Sequence, residues 1–261
     1  MSVSSPNPVK SALRTLDVIE FVVAYGQGAA AKDIAAGLGI PVSSLSYLLA
    51  TLCERGYLQR DGRRYLPGPS LERLRTPNAQ LSLEERLAPI VRAITAELDE
   101  TTSFMVLDGW DARIVATAAS AQALRYAIDP GERKPLHVLA GGKAILAALT
   151  GEQLDSYLAE TEGRRVQATP QTIVAADALR DDIALVKQRG FSLALEESTP
   201  GICSIGRGVR LSDGRIGAFG IAVPTIRYGD ALLGRAKAAL VRACEALENR
   251  PVPQGHISSG Q

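Results

Sequence analysis

The sequence is poor in the residues that bind metals and carry out most acid–base catalysis. Its 261 residues include only two histidines and three cysteines. The cysteines, Cys53, Cys203 and Cys244, lie far apart and lack the CxxC spacing of metal or redox sites. This pattern argues against a zinc site and against a disulfide framework. It predicts that the protein works in a reducing compartment, the cytoplasm. Because general acid–base catalysis most often uses histidine, we expect a protein that is not an enzyme and that needs no metal or cofactor.

Long apolar runs are also missing. No stretch of about 18 apolar residues occurs, and the opening MSVSSPNPVK contains no apolar segment of a signal peptide. We therefore expect no membrane partner and no secretion signal. The net charge is only +1, but residues 1–75 hold nine Lys and Arg against six Asp and Glu. This small basic excess weakly favours a polyanionic partner for the N-terminal part.

Residues 10–68 have the pattern of a small helical domain. Apolar residues at helical spacing predict a first helix with a buried stripe formed by Leu13, Leu16, Ile19 and Val23. The segment GQG at residues 26–28 breaks this helix, and a second, short helix ends at Gly39. Pro41 begins a third helix, because its missing N–H is not needed in the first turn, and Gly56 ends it.

The third helix has one apolar face and one face of hydroxyl groups. The apolar stripe is formed by Leu45, Leu48, Leu49 and Leu52. The other faces carry Ser43, Ser44, Ser46, Tyr47 and Thr51. Short hydroxyl side chains allow close approach to base edges, so we predict that this is the recognition helix of a helix-turn-helix, facing the bases of double-stranded DNA. The alternative is a serine-rich surface that binds nothing.

After the third helix, the segment YLQRDGRRYL predicts a hairpin. Its two short strands are joined by Asp61-Gly62, which indicates a type I′ turn. Three cations surround the predicted tip, namely Arg60, Arg63 and Arg64. Such a wing can contact phosphates or the minor groove, and Lys10 and Arg14 on the first helix can add phosphate contacts. The alternative is that these arginines are only solvated, but the order of the features favours DNA binding.

Beyond the hairpin the pattern changes class. Residues 69–100 are predicted to be a linker region, with a helix over residues 83–98. Residues 101–250 are predicted to be an α+β domain, and residues 251–261 a disordered tail. Strands are predicted for TSFMVLDG, ARIVATAAS, LRYAID, FSLALEE, CSIGRGVRL and RIGAFGIAV. Helices are predicted for GGKAILAALT, GEQLDSYLAE, DALRDDIALVKQRG and the segment from Leu233 to Leu247.

Three segments together resemble the IclR-type bacterial transcriptional regulators. They are PVSSLSYLLATLCERGYL, PLHVLAGGKAILAAL and GFSLALEESTPGI, and the resemblance runs from about Lys10 to Glu248. It implies a winged helix-turn-helix, a linker helix and a GAF-like effector-binding domain. It also implies a ligand-responsive regulator, commonly a repressor of a catabolic operon, that binds operator DNA as a homodimer or homotetramer. Two departures are Tyr47, where a basic residue is usual, and Ala30-Ala31, where a Ser or Thr cap is usual; the missing cap costs about 1 kcal/mol.

The resemblance also implies an effector pocket between the sheet and the loop that enters the GGKAIL helix. Its walls would be formed by Leu139, Ala140, Gly141, Ser204, Gly206, Gly220 and Ala222. Alternate strand residues share a face, so Ser204, Gly206 and Gly208 point one way, and small residues there leave room for a ligand. The alternative is close packing of a helix on the sheet, which also selects Gly and Ala.

The nature of the effector follows from departures within the resemblance. Members that sense short keto acids have an acidic residue before the Glu-Glu pair and serines on the last strand, whereas this chain has Leu195, Gly220 and Ala222. Fewer polar groups predict a larger, aromatic organic acid, whose carboxylate Arg207 or Arg125 would bind. The alternative for each arginine is a solvated or structural role.

Several apparent catalytic motifs are incomplete. AGGKAIL lacks the first Gly and the Ser or Thr of a phosphate loop, so Lys143 is predicted to be solvated in the first turn of a helix. Glu196 and Glu197 are adjacent on a predicted strand, so their side chains should diverge. His137 is predicted to be hydrogen-bonded near the pocket loop. The alternative function is a metabolite-binding protein or enzyme whose N-terminal helices only mediate oligomerisation.

Overall fold

A computed structural model describes residues 9–25, 28–75 and 82–248. The chain forms two units, residues 1–81 and residues 82–261. The predicted disordered tail lies outside the described residues. Each unit has its own core.

The first unit combines helices with a small antiparallel sheet. Its helices are α1 (Lys10–Ala24), α2 (Ala31–Leu38), α3 (Val42–Glu54) and α4 (Pro69–Arg75). Its strands are β1 (Ala29–Ala30), β2 (Leu58–Asp61) and β3 (Arg64–Pro67), in the order β1-β3-β2. The sequence predicts all of these helices except α4, which falls where prolines suggest a joint. Proline is tolerated in the first turn of a helix, so Pro69 begins α4 without cost.

The core of the first unit corrects the face predicted for α1. Val18 and Val22 are fully buried against α2 and α3. By contrast, Leu13, Leu16 and Val23 are 46%, 54% and 51% exposed, and Ile19 is half-buried. The helix carries two apolar stripes, and spacing alone cannot tell which one meets the core.

The helix-turn-helix has the expected geometry. Helix α2 ends at Gly39, whose φ of +61° is the left-handed conformation that glycine adopts easily. The axes of α2 and α3 differ by 118°, within the range of such motifs. As predicted, the N-cap position of α2, Ala30, supplies no side-chain cap. Among the described residues no single helix is long and apolar enough to span a membrane; α2 and α3 reach that length and composition only when counted together.

The hairpin after α3, called the wing below and spanning β2 and β3, turns one residue later than predicted. Asp61 and Arg64 are paired across the ladder, so Gly62 and Arg63 form the turn. Gly62 has a φ of +56°, whereas Arg63 is not among the described residues with positive φ. A positive φ at the first turn residue alone is the pattern of type II′, and type I′ would need both.

The second unit is a six-stranded antiparallel sheet with helices on both faces. The strands are β4 (Thr101–Asp108), β5 (Asp111–Ala118), β6 (Arg133–Pro135), β7 (Ser192–Leu195), β8 (Ile202–Arg210) and β9 (Ile216–Pro224). They lie in the order β6-β5-β4-β9-β8-β7. The helices are α5 (Leu83–Leu98), α6 (Ala140–Ala148), α7 (Gly151–Glu160), α8 (Ala176–Arg189) and α9 (Asp230–Glu248).

The two faces of the sheet have separate cores. Helices α5 and α9 cover one face, where Phe104 and Phe219 meet edge to face at 4.8 Å. Helices α6, α7 and α8 cover the other face. The predicted linker helix over residues 83–98 is α5, which begins with a capping box between Ser82 and Glu85 and belongs to the second unit, where it packs against the sheet and α9. The α+β class with a winged helix-turn-helix is therefore confirmed.

One predicted strand is absent from the sheet. Residues 124–129, predicted from LRYAID, form an irregular segment, and β6 lies further on. Side chains rather than a ladder hold this segment, because Thr101 Oγ1 donates to the backbone oxygen of Tyr126 at 2.9 Å. Arg227 likewise donates to the backbone oxygen of Leu124 at 2.9 Å. The segment therefore lies beside β4 without joining the sheet.

Candidate nucleic-acid interface and ligand pocket

Helix α3 presents its hydroxyl face to solvent. Its leucine face is buried at Leu45, Leu49 and Leu52, which fixes the rotation of the helix. The residues predicted to face bases, Ser43, Ser44, Ser46 and Tyr47, are all exposed. Tyr47 is 79% exposed, so its ring and its hydroxyl are both accessible. The face is thus open to a partner outside the chain.

The wing arginines have different surroundings. Arg63 lies in the turn and is exposed. Arg60 donates from Nε to the backbone oxygen of Gly62 at 3.0 Å, and its guanidinium lies 6.0 Å from the ring of Tyr65. Arg64 donates to the backbone oxygen of Gly28 at 2.9 Å. Arg60 and Arg64 therefore brace the wing, and Arg63 is the cation placed at its tip.

The two cations predicted on the first helix lie one turn apart. Lys10 and Arg14 are exposed at positions i and i+4 of α1, so their side chains share one side of the helix. They belong to the same unit as α3 and the wing.

A pocket in the second unit opens at the start of α6. Its walls come from the end of the loop before α6, from β4, β7, β8 and β9, and from the irregular segment after β5. The lining residues are Thr101, Ser103, Met105, Tyr126, Ile128, Leu139, Ala140, Gly141, Ala194, Ser198, Ile202, Ser204 and Ala222. Among these described residues none carries a charge.

The pocket is narrow in this structure. Space outside the atoms amounts to about 470 Å³ when the mouth is included, but the centre of a water molecule fits in only about 30 Å³ of it. The smaller value decides what can enter. Met105 fills part of the inner end, because its Sδ and Cε lie 2.6 and 2.7 Å from where a Cβ on Gly141 would be. Methionine is flexible, so this end can open when its side chain turns.

The first turn of α6 supplies backbone hydrogen-bond donors for an anion in a pocket whose lining side chains carry no charge. Helix α6 begins after Leu139 with no side-chain cap, and its first internal bond runs from Lys143 N to Leu139 O. The amide groups of the residues before Lys143 in this turn therefore have no acceptor within the helix. An uncapped helix N-terminus attracts anions, and Ala140 and Gly141 of this turn line the pocket.

Not all of the predicted pocket glycines leave room for a ligand. A Cβ on Gly206 would lie 2.6 Å from the backbone carbon of Ala140, so Gly206 lets α6 approach the sheet. Gly208 likewise lets α6 approach the sheet, because a Cβ on Gly208 would lie 2.8 Å from the backbone oxygen of Ala144. For both residues the packing alternative is correct. Gly220 is less crowded, since its Cβ would meet Met105 Cε at 3.3 Å, but it lies beneath the lining residues.

Neither predicted arginine is among the residues that line the pocket. Arg207 borders a different cleft, where it donates to the backbone oxygen of Gly190 at 3.0 Å and lies 5.0 Å from the ring of Phe191. It therefore satisfies the carbonyl at the end of α8, which is the structural alternative. Arg125 is exposed and donates to the backbone oxygen of Gln122 at 3.2 Å. The structure thus corrects the prediction that Arg207 or Arg125 binds the carboxylate inside this pocket.

More than half of the residues that line the pocket were not predicted from the sequence. Thr101, Ser103 and Met105 alternate along β4, and a common face was readable from their spacing. Tyr126 and Ser198 lie in irregular segments, so no periodicity points to them. Three lining hydroxyls, those of Ser103, Ser198 and Ser204, make no hydrogen bond within the described part of the chain, which leaves them available to a ligand.

Lys143 is not solvated, which corrects the prediction. Its side chain is buried, with Nζ 2.8 and 3.0 Å from the two carboxylate oxygens of Glu197 and 2.9 Å from Asp182 Oδ2. Burial raises the pKa of Glu197, and Lys143 opposes this shift. Glu196 and Glu197 lie in a loop beyond β7 rather than on a strand.

His137 is hydrogen-bonded, as predicted. Its Nε2 lies 3.0 Å from the backbone oxygen of Val166, which can only accept, so Nε2 carries the proton. The side chain is 1% exposed, and burial lowers its pKa.

Two family models match the chain. The IclR helix-turn-helix domain matches residues 11–62, and the bacterial transcriptional regulator IclR C-terminal domain matches residues 78–249. Among curated relatives, HTH-type transcriptional regulator Rv1719 of Mycobacterium tuberculosis is 32% identical, covering 82% of this chain and 82% of its own length. The acetate operon repressor of Salmonella typhimurium is 29% identical, covering 74% of this chain and 72% of its own length.

Solved structures share the fold. A transcriptional regulator from Rhodococcus sp. RHA1 has a TM-score of 0.60 and 27% identity, covering 92% of this chain and 97% of that one. An IclR homologue of Microbacterium hydrocarbonoxydans, complexed with 4-hydroxybenzoate, has a TM-score of 0.57 and 20% identity, covering 92% and 99%. At that identity the second likeness shows the fold alone.

Proposed function

The chain belongs to the IclR family of bacterial transcriptional regulators, and on this basis we propose that it represses a catabolic operon in response to a small aromatic acid. Regulators of this family bind operator DNA and small-molecule effectors, and this chain is a ligand-responsive regulator of that kind. The proposal adds the sign of regulation, the class of effector, the residues involved and the oligomer. We propose a homodimer or homotetramer, whose size light scattering would give.

In the proposed DNA complex, α3 lies in the major groove. Ser43, Ser44, Ser46 and Tyr47 face the bases, and Arg60, Arg63, Arg64, Lys10 and Arg14 contact phosphates. Two observations support this arrangement: the hydroxyl face of α3 is exposed, and its leucine face is buried. Only the hydroxyl side of α3 is therefore accessible to DNA. Hydroxyl groups can donate and accept, so they can pair with several base edges. Residues 10–68 would form the DNA-binding domain, 69–100 the linker and 101–250 the effector domain.

One observation carries the proposed effector class: the uncapped N-terminus of α6 opens into a pocket with no charged side chain. A carboxylate would accept hydrogen bonds from the amides of Ala140 and Gly141, while the ring would lie among Met105, Ile128 and Leu139. The free hydroxyls of Ser103, Ser198 and Ser204 would bind polar ring substituents. No arginine is needed, because the helix dipole and the amide groups attract the anion.

The narrow pocket sets the mode of binding. An aromatic ring does not fit into the present free space, so Met105 must turn aside when the ligand enters. The fold is able to hold such a ligand, since the Microbacterium homologue is complexed with 4-hydroxybenzoate, but the argument for this chain rests on its own pocket. We propose that this opening biases the linker helices and changes the spacing of paired DNA-binding units, with a coupling of about 1–3 kcal/mol.

Calorimetric titration tests the effector class. We expect 4-hydroxybenzoate and benzoate to bind, and 4-hydroxybenzamide, which has no carboxylate, to bind about tenfold or more weakly because the amides at the start of α6 lose their anion. Pyruvate and glyoxylate are the competing short keto acids. Tighter binding of those two than of the aromatic acids would contradict the proposal.

The sign of regulation needs a separate measurement. One relative is named as the acetate operon repressor, which supports repression as the mode here. A reporter fused to the promoter next to the chain's own gene should rise when that gene is deleted. A fall in the reporter would indicate an activator.

A further inference from the structure

A buried cluster of three charged side chains lies behind the proposed effector pocket. Its members, called the charged cluster here, are Lys143, Asp182 and Glu197. The exposed fractions of the three side chains are 1%, 20% and 8%. Glu197 accepts hydrogen bonds from Lys143 through both carboxylate oxygens. Asp182 Oδ2 lies 2.9 Å from the same Nζ, at an angle that makes no hydrogen bond. One ammonium therefore serves two carboxylates.

The cluster joins three parts of the second unit. Lys143 lies in the first turn of α6, close after the residues that line the pocket. Asp182 lies on α8. Glu197 belongs to residues 196–201, called the pocket loop here, and its next residue, Ser198, lines the pocket. A single side chain thus connects two parts of the pocket wall, the start of α6 and the pocket loop.

The pocket loop is held in a conformation that it would not adopt alone. Glu196 has a φ of +58°, which is unfavourable for a residue other than glycine. Thr169 and Thr172 donate to the backbone oxygens of Glu196 and Glu197 at 2.7 and 2.6 Å. These bonds fix the backbone at the start of the loop. Among side chains, only that of Lys143 binds the Glu197 carboxylate in the described part of the chain.

Burying charges in this way is not an efficient route to stability. Replacing a buried ion pair by apolar residues is often neutral or stabilising, whereas removing one partner leaves an unpaired charge that must move toward water. If Lys143 lost its charge, Glu197 and Asp182 would both be unpaired, and Glu197 is the more buried of the two, with a side chain 8% exposed against 20%. The backbone beside it carries Ser198, so its movement would change the pocket wall.

We propose that Lys143 is a positioning residue for the effector site: through Glu197 it holds the pocket loop, and with it Ser198, against the start of α6. The inference rests on the proposed function for the identity of the pocket, but the effect on the loop does not depend on any ligand. The cluster sets the distance between the helix amides, which bind the carboxylate, and Ser198, which binds the far end of the ligand.

The test compares Lys143→Met with Leu247→Ala in the full-length protein. Methionine keeps the length of the side chain and removes its charge. Leu247 is 3% exposed in the core under α9, so its truncation is a control for general loss of stability. Hydrogen exchange of peptides covering residues 195–202 is measured by mass spectrometry under native conditions. We expect exchange there to rise about tenfold or more in Lys143→Met, and to remain near wild type in Leu247→Ala.

A rescue variant separates charge from volume and keeps the test valid if Lys143→Met folds poorly. In Lys143→Met/Glu197→Gln no unpaired carboxylate remains in the pocket loop, so we expect slow exchange of residues 195–202 to return at least in part. Failure of this rescue, or unchanged exchange in Lys143→Met, would overturn the proposal.

Calorimetric titration with 4-hydroxybenzoate tests whether Lys143 affects ligand binding. We expect Lys143→Met to bind it about tenfold or more weakly than wild type, and the rescue variant to regain affinity. If wild type does not bind this probe, the proposed effector class fails while the exchange result still decides the role of Lys143. If wild type binds and Lys143→Met binds equally well, the positioning role is wrong and the effector class stands.

Discussion

Arg227 donates two parallel hydrogen bonds to the carboxylate of Glu100, from Nε at 2.6 Å and from Nη2 at 2.8 Å. Glu100 is 3% exposed, and its hydrogen bonds with Arg227, helped by its negative charge, raise the pKa of Arg227. Arg227 also donates to the backbone oxygen of Leu124, so one guanidinium joins the end of β9 to the irregular segment beside the pocket. This pairing explains why the segment is ordered without belonging to the sheet.

Arg227→Ala should therefore destabilise the second unit. The change leaves Glu100 buried without its cation, and we expect a loss of about 2–3 kcal/mol in the free energy of unfolding, less than for a fully buried pair because Arg227 is partly exposed. Urea denaturation measures it. Arg242→Ala is the matched control, since its partner Glu97 is exposed, and about 0–1 kcal/mol is expected there. Equal losses in the two variants would contradict this explanation.

Arg63→Ala plus Arg64→Ala should weaken DNA binding across sequences. The slope of log K against log salt falls by about one for each phosphate that the protein no longer neutralises, so the slope should flatten. Fluorescence anisotropy with a duplex of random sequence, at several salt concentrations, measures this. Arg64→Ala alone should also loosen the wing, because its bond to Gly28 is removed.

The control for the wing is Arg180→Ala. Arg180 is an exposed arginine of the second unit, paired with Asp155 at 2.6 Å, and its removal changes the net charge by the same amount as one wing arginine. The DNA affinity of Arg180→Ala should stay at the wild-type level. An unchanged slope in the double wing variant would show that the wing does not contact phosphate.

Gly206→Ala should push α6 away from the sheet. The new Cβ would lie 2.6 Å from Ala140 C and 2.7 Å from Gly141 N, and backbone cannot move aside as a flexible side chain can. We expect a stability loss of about 1–3 kcal/mol and weaker effector binding. Gly220→Ala is the control, because its nearest neighbour is the mobile end of Met105 at 3.3 Å. Urea denaturation measures the stability of both variants, and calorimetric titration measures their effector binding. Equal losses in Gly206→Ala and Gly220→Ala would contradict the close contact of α6 and β8.

His137 should make the unfolding free energy depend on pH in mildly acid solution. Burial lowers its pKa below the usual 6.5, so the unfolded chain binds a proton more readily than the folded chain. The stability from neutral His137 is therefore fully present above about pH 6.5, and it is lost as pH falls toward the folded pKa. In His137→Gln, whose amide can still donate to Val166 O, the slope of stability against pH below about pH 6.5 should shrink. NMR titration would contradict this if His137 protonated at or above 6.5.

The sequence was informative wherever a feature depends on neighbouring residues. The helices α1, α2, α3 and α5 follow from apolar spacing, and the stop at Gly39 follows from the positive φ that glycine allows. The wing was found, but its turn was placed one residue early. Both Asp-Gly and Gly-Arg fit a two-residue loop, and only the pairing of Asp61 with Arg64 distinguishes them.

The pocket was predictable only in part. Leu139, Ala140, Gly141, Ser204 and Ala222 lie on its wall, whereas Gly206 serves packing and Arg207 faces another cleft. Small residues on a strand face fit both a gap and a close helix contact, so composition cannot separate the two. An arginine has a long side chain, and its direction depends on which carbonyl lies within reach; for Arg207 this is Gly190 O.

The sequence by itself determined the helices α1, α2, α3 and α5, the presence of the wing and the hydroxyl face of α3, because these depend on residues a few positions apart. Tertiary structure alone decided which stripe of α1 is buried and why Lys143 lies inside the protein beside two carboxylates. Its partner Glu197 lies 54 positions along the chain, on a separate element. Local spacing carries no information about such contacts, since they exist only once the chain has brought distant surfaces together and removed water from between them.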